Sequence, residues 1–189
     1  MKKRIVVGAT GASGQPLLIK CLEIIRESEE FESYLIMTES ARLTLESETT
    51  WKVEEVEALA DHVLNPEEIG AGPASGSFRT AGMVIVPCSM KTIAGIHSGY
   101  AENLLLRAAD VTIKEQRPLV LAARETPLSP IHLRNLQELS MIPGVRIIPP
   151  MMTFYHCPES IDEMVYHLAA KLLEPFGIEA KEYRRWTGL

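Results

Sequence analysis

The chain has 189 residues, 46% of them hydrophobic and 23% charged, with 19 Lys and Arg against 25 Asp and Glu. That length allows one domain with a sizeable core, and a net charge of −6 excludes a dominant electrostatic grip on nucleic acid. Cys21, Cys88 and Cys157 are isolated, and the 5 histidines form no HExxH pair, so neither a disulfide framework nor a metal site is expected.

In chain order, "RIVVGA" (4–9) reads as a buried strand, and a helix follows over about 14–28. The apolar part of the N-terminus is too short for a signal peptide or a membrane span, so the expected location is the reducing cytoplasm, with no membrane partner. "ESYLIM" (32–37) reads as a second strand, and "SARLTLESET" begins a helical stretch. Val53, Val56, Leu59, Ala60 and Val63 recur with helical period, which predicts a helix over 53–64. Residues 65–77 are rich in Gly, Pro and Ser and read as a loop. Further strands are predicted at 82–88, 118–123 and 145–150, and helices at 101–117, 131–142 and 160–177. Ser160 and Glu163 give the last helix a capping box. Continuous apolar strands alternating with helices imply a Rossmann-like (flavodoxin-like) α/β fold: one domain, a parallel sheet and helices on both faces. The last dozen residues read as a tail that docks on the body or crosses to a neighbouring subunit.

In such sheets ligands bind beyond the carboxyl ends of the strands. The predicted exits carry Thr10-Gly11-Ala12-Ser13-Gly14, then Thr38-Glu39-Ser40, then Ser89-Met90-Lys91-Thr92. Arg124-Glu125-Thr126 follows the next strand, and "MMTFYH", with Tyr155, the last. The glycine turn alone suits a dinucleotide as well as a mononucleotide. A short-chain dehydrogenase also needs Tyr-x-x-x-Lys, yet Thr38, Leu104, Glu159, Ala170 and Thr187 stand four residues after the five tyrosines. Ser89 and Thr92 also suit helix capping, and Arg107 and Lys114, seven apart, share a helix face that by default is solvated. His132 and His167 fall in apolar helical patterns and read as packing or capping residues.

The segments "GATGASG", "ASGSFRTAGMVIVPCSMKTIAGI", "NLLLRAADVTIKEQRPLVLAARETPLSPIHL" and "PPMMTFYH" resemble, in matching order, the UbiX family of flavin prenyltransferases. The resemblance implies transfer of a dimethylallyl group from dimethylallyl monophosphate to N5 and C6 of reduced FMN, without a metal. The prenylated FMN would serve a UbiD-type decarboxylase, and the chain would assemble as a dodecamer built of trimers. Carried over, Gly11, Ala12, Ser13, Thr38, Ser89, Met90, Lys91, Thr92, Arg107 and Arg124 would hold the flavin. Tyr155, Lys171, Lys114, Arg124, Glu125 and Trp186 would take the prenyl phosphate, while Glu48, Glu125, Lys114 and Ser13 would be catalytic. The chain departs from the family at Glu39, where Lys is usual, and at Lys171, where Arg is frequent. The cations and Tyr155 suit a departing phosphate, and either Glu125 or that phosphate could take the flavin C6 proton, with Glu48 managing the proton at N5. The related flavin-dependent cysteine decarboxylases fit less well, because their "PxMNxxMW" segment and early His are absent here. A flavin carrier without catalysis is the remaining alternative, and the basic cluster speaks against it.

Overall fold

The computed structural model describes residues 2–188. Six parallel strands form one sheet: β1 (Lys3–Ala9), β2 (Phe31–Met37), β3 (His62–Leu64), β4 (Gly82–Cys88), β5 (Leu119–Ala123) and β6 (Val145–Ile147), in the spatial order β3-β2-β1-β4-β5-β6. Without the short β3 edge, the five strands expected from sequence take the flavodoxin order 2-1-3-4-5. The helices are α1 (Gln15–Arg26), α2 (Glu39–Glu48), α3 (Val53–Glu57), α4 (Met90–Ser98), α5 (Leu104–Lys114), α6 (Pro130–Ser140) and α7 (Ile161–Leu173).

The central strands carry continuous apolar runs because both faces of the sheet are covered there. Ile5, Val7 and Ala9 of β1 and Val84 and Val86 of β4 point into a core closed by α1, α2, α3 and α7. Val6, Met83, Ile85, Leu119 and Leu121 point the other way, under α4, α5 and α6. Successive residues of β1, β2, β4 and β5 alternate between the two cores, so each of these strands feeds both.

The helix expected over 53–64 is corrected. It ends at Glu57, and residues 62–64 are strand instead. Asp61 Oδ2 accepts from the Ser33 amide at 2.8 Å and from the Ser33 hydroxyl at 3.1 Å, and the Asp61 amide donates back to Ser33 Oγ at 3.0 Å. These bonds draw the chain alongside β2 and put His62 opposite Tyr34, where the two rings stack 4.3 Å apart. The helical spacing of Val63 was accidental: it lies on an exposed edge.

The other differences are boundaries. β6 stops at Ile147, two residues before the Pro149-Pro150 pair, since proline cannot donate to a ladder. Asn103 starts α5 by accepting from the Leu106 amide, later than predicted. α7 gives way after Leu173 to a single 3-10 turn containing Pro175, closed by Gly177 at φ 77°. Ser160 caps α7 through the Glu163 amide as expected, but the Glu163 carboxylate accepts from Glu159 rather than from Ser160. Among the described residues, no helix is long and apolar enough to cross a membrane.

Candidate functional site

β1 and β4 are neighbours, yet α1 leaves on one face of the sheet and α4 on the other. Their carboxyl ends therefore open a crevice at the topological switch point. Thr10, at the end of β1, holds the two exits together. Its hydroxyl donates to the Pro87 carbonyl at 2.9 Å and accepts from the Ser89 amide at 2.8 Å.

The glycine turn is shaped by close approach. A Cβ on Gly11 would stand 2.6 Å from Ser40 Cβ at the start of α2, and Gly14 has φ 120°, a conformation side chains disfavour. Gln15, fully buried, ties the turn from inside, donating from Nε2 to the Thr10 carbonyl at 2.9 Å and the Ala12 carbonyl at 3.2 Å.

The amino end of α1 is the place where a dinucleotide fold receives its pyrophosphate. Here Glu48, the last residue of α2, fills it: one carboxylate oxygen accepts from the Gly14 and Gln15 amides, each at 2.9 Å. Partial burial raises the Glu48 pKa, but the Ser13 hydroxyl, these two amides and the Arg124 charge outweigh it and hold the carboxyl below its ordinary value. An ionised carboxylate on the α1 terminus repels a phosphate there.

Two other helix starts are free to face a ligand. Thr38 caps α2 through the Ala41 amide at 3.2 Å, and Ser89 caps α4 through the Thr92 amide at 3.4 Å. Both open on a cavity of about 280 Å³ lined by Thr10, Thr38, Ser40, Ser89, Lys91 and Thr92, with Glu39, Glu67 and Glu102 also on its wall. The capping and ligand readings of Ser89 and Thr38 thus coexist, since a capping hydroxyl can still meet a ligand. Met90 faces inward and belongs to the core under α4.

Tyr155, Lys171 and Trp186 meet in a second cavity of about 490 Å³, which shares no lining residue with the first. Tyr155 and Trp186 rings lie 5.9 Å apart, and Lys171 Nζ pairs with Glu174 at 2.6 Å. Arg124 and Glu125 stand exposed at the β5 exit, with Glu125 accepting from the Thr126 amide at 3.0 Å.

Lys114 is not brought to these groups within one protomer. It ends α5, roughly 15 Å along the helix axis from the end that lines the first cavity, and pairs with Glu115 at 2.7 Å. Arg107 lies between, donating to the Ala74 carbonyl at 3.3 Å and pairing with Asp110. The two do share a helix face, which borders the 72–78 loop while Lys114 stays half exposed: Gly76 lies so close that a Cβ there would meet Lys114 Nζ at 2.9 Å.

His132 completes a capping box with Ser129, as expected of a capping residue. Sequence reasoning passed over Thr10, Gln15 and Ser40 as site residues. Thr10 and Ser40 stood in quoted strand exits, but Gln15 had only its place after Gly14 as a signal.

The fold and the crevice define a mononucleotide-binding α/β protein, and a family model described as Flavoprotein matches residues 1–172. The chain belongs to that family. A probable UbiX-like flavin prenyltransferase of Streptomyces sp. (strain D7) is 53% identical over 186 residues, covering 98% of this chain and 92% of the relative. The crystal structure of AnUbiX in complex with FMN and dimethylallyl pyrophosphate superposes with a TM-score of 0.97 at 44% identity, covering 100% of both chains. A dodecameric FMN-dependent UbiX-like decarboxylase from Escherichia coli O157:H7 gives a TM-score of 0.95 at 49% identity, covering 98% of this chain and 100% of that one. Within the flavoproteins, the chain is a member of the UbiX-like flavin prenyltransferases.

Proposed function

We propose that this protein transfers a dimethylallyl group from dimethylallyl monophosphate to N5 and C6 of reduced FMN, yielding prenylated FMN for a UbiD-type decarboxylase. The observation that carries the mononucleotide reading is the Glu48 carboxylate on the amino end of α1. It closes the pyrophosphate position and leaves the hydroxyl-rich starts of α2 and α4 for a single phosphate.

The residues present fit FMN. Gly11, Ala12 and Ser13 would approach it at the first turn, Thr38, Ser89, Lys91 and Thr92 would surround it with hydroxyl, amide and cationic donors, and Arg124 would reach over from β5. When bound, the reduced flavin supplies the nucleophilic atoms. The protein's residues supply the rest. Tyr155 and Lys171, with Arg124, would hold the prenyl phosphate and offset the charge that grows on it as the carbon–oxygen bond breaks. Apolar walls would keep water from the allylic carbon. Glu125 would accept the proton released from flavin C6, and Glu48, acting through Ser13, would manage the proton at N5.

The separation of the two cavities supports a site assembled from several copies of the chain, and one relative of known structure is dodecameric. Lys114 would then serve, with Arg107, the site of a neighbouring copy, and trimers of the chain would be the building block. Incubation with reduced FMN and dimethylallyl monophosphate, followed by mass measurement of the flavin, tests the reading. We expect a gain of one prenyl unit less one hydrogen. Tight binding of an unchanged flavin would make the protein a carrier, and turnover of a cysteinyl peptide would make it a decarboxylase.

A further inference from the structure

The segment 180–188 folds back over α7 as a strap, and its residues Tyr183 to Gly188 wall one side of the cavity that holds Tyr155 and Lys171. Few bonds hold it. The Glu182 amide donates to Tyr166 Oη at 3.0 Å, the Arg184 amide donates to His167 Nε2 at 3.3 Å, and Arg184 Nη1 donates to the His156 carbonyl at 3.3 Å. Arg185 pairs with Glu174.

His167 sits at the middle of this attachment. Its ring stacks face to face on His156, with centroids 3.5 Å apart and planes at 2°, and Tyr183 of the strap leans on it at 5.0 Å. His156, His167, Tyr183 and Arg184 also line a larger cavity of about 540 Å³ on the other side, so the histidine pair and the strap form the partition between two spaces.

A ring nitrogen that accepts from a backbone amide must carry no proton. Protonation would set an N–H against the Arg184 N–H, and would place a cation flat against a second imidazole and beside a guanidinium. We propose that His167, stacked on His156, is a positioning residue that latches the strap over the Tyr155–Lys171 cavity only while it is neutral.

The surrounding charges point the same way. Burial lowers the His167 pKa, and His156 and Arg184 lower it further, against a smaller opposing effect of Glu163 on its own helix. From α1, Lys20 and Glu23 face the same space, but they pair with each other at 2.8 Å, and Lys20 also reaches Asp162 at 3.3 Å.

A released strap takes away part of the burial and the Arg184 charge, so His167 rises toward its ordinary value of about 6.5 with His156 still stacked on it, while the docked strap depresses it. The released state therefore takes up the proton first. Docking is unaffected above about pH 6.5 and weakens by up to about tenfold per pH unit below it, until the docked value is reached.

Hydrogen exchange of the full chain between pH 8 and pH 5, corrected for intrinsic exchange, tests the latch without any ligand. We expect protection across 180–187 to fall below about pH 6.5 while α1 stays protected. His167→Gln, which can still accept from the amide, should keep the strap protected across the range. His167→Arg, always charged, should leave it open at pH 8. Flat protection in the wild type overturns the proposal, even where a variant does not fold. So does a His167→Gln strap that opens with the wild-type pH dependence.

The role of this cavity in prenyl-donor binding rests on the function proposed above. On that reading, kcat/KM for dimethylallyl monophosphate should follow strap protection through KM, with FMN affinity unchanged. A strap that opens with pH in a protein that transfers no prenyl group at any pH supports the latch and overturns the functional reading.

Discussion

Glu48 stands 34 positions from Gly14 in the chain, yet its carboxylate replaces the phosphate that the glycine turn advertises. The pattern Gly8-x-x-Gly11-x-x-Gly14 is satisfied by packing. Gly8 would press a Cβ against Leu105 at 3.1 Å, and Gly11 admits Ser40. Ser13 lies beside the Glu48 carboxylate, which fits the proton route proposed for the pair. Because the folded protein holds the Glu48 carboxyl below its ordinary value, its stabilising effect is full above about pH 4.5 and is lost as the pH falls through the depressed value. Glu48→Gln should destabilise the protein by about 0.5 to 1 kcal/mol at neutral pH, the usual size of a charge at a helix start. Urea unfolding of both forms at pH 7 and pH 3.5 checks this: the difference should shrink at the lower value, and an unchanged difference would deny the carboxylate its capping role.

Single elements are set by their ends as much as by their pattern. α3 and β3 show the limit of periodicity, because five apolar residues at helical spacing were divided by one side chain, Asp61, that binds Ser33 across a turn. Nothing local distinguishes Asp61 from a solvated helix residue; its partner lies 28 positions away. Asp61→Ala should strip the two bonds that the Asp61 carboxylate accepts from Ser33 and loosen β3 from β2 at a cost of about 1 to 3 kcal/mol, since a partly buried amide loses its acceptor. Hydrogen exchange at 62–64 should quicken by more than at 82–88. Equal quickening of both strands would mean that Asp61 supports the whole sheet rather than its edge. α5 carries a different lesson: "RAADVTIKE" was legible as a helix with two cations on one face, but which ends of the sheet those cations reach is a matter of direction. A helix of 11 residues puts its first and last turns at opposite edges.

For the whole molecule, the division of the candidate residues into separated groups is the main result. The hydroxyls proposed to face the flavin collect at the switch point, Tyr155, Lys171 and Trp186 collect under the strap, and Lys114 stands apart from both. If neighbouring copies complete each site, two damaged chains should repair one another. Lys114→Ala and Lys171→Ala should each lower kcat/KM on the order of 100-fold, as losing one charge-stabilising donor does. Co-refolded as a mixture, they should recover part of the wild-type rate, because some sites then draw each lysine from the variant that retains it. No recovery in a properly assembled mixture would place both lysines in a site built by one chain.

The sequence by itself determined the layered architecture, because apolar strands and capped helices are local patterns with one physical outcome, burial of both faces of a parallel sheet. It also determined the family, since long segments of characteristic residues recur in order. Tertiary structure alone decided who meets whom. It put Glu48 on α1, turned the end of a predicted helix into an edge strand of the sheet, parted Lys114 from Lys171, and stacked His156 on His167 beneath the strap. Such contacts join residues far apart in the chain. Their free energy depends on distance and burial, which no local pattern encodes.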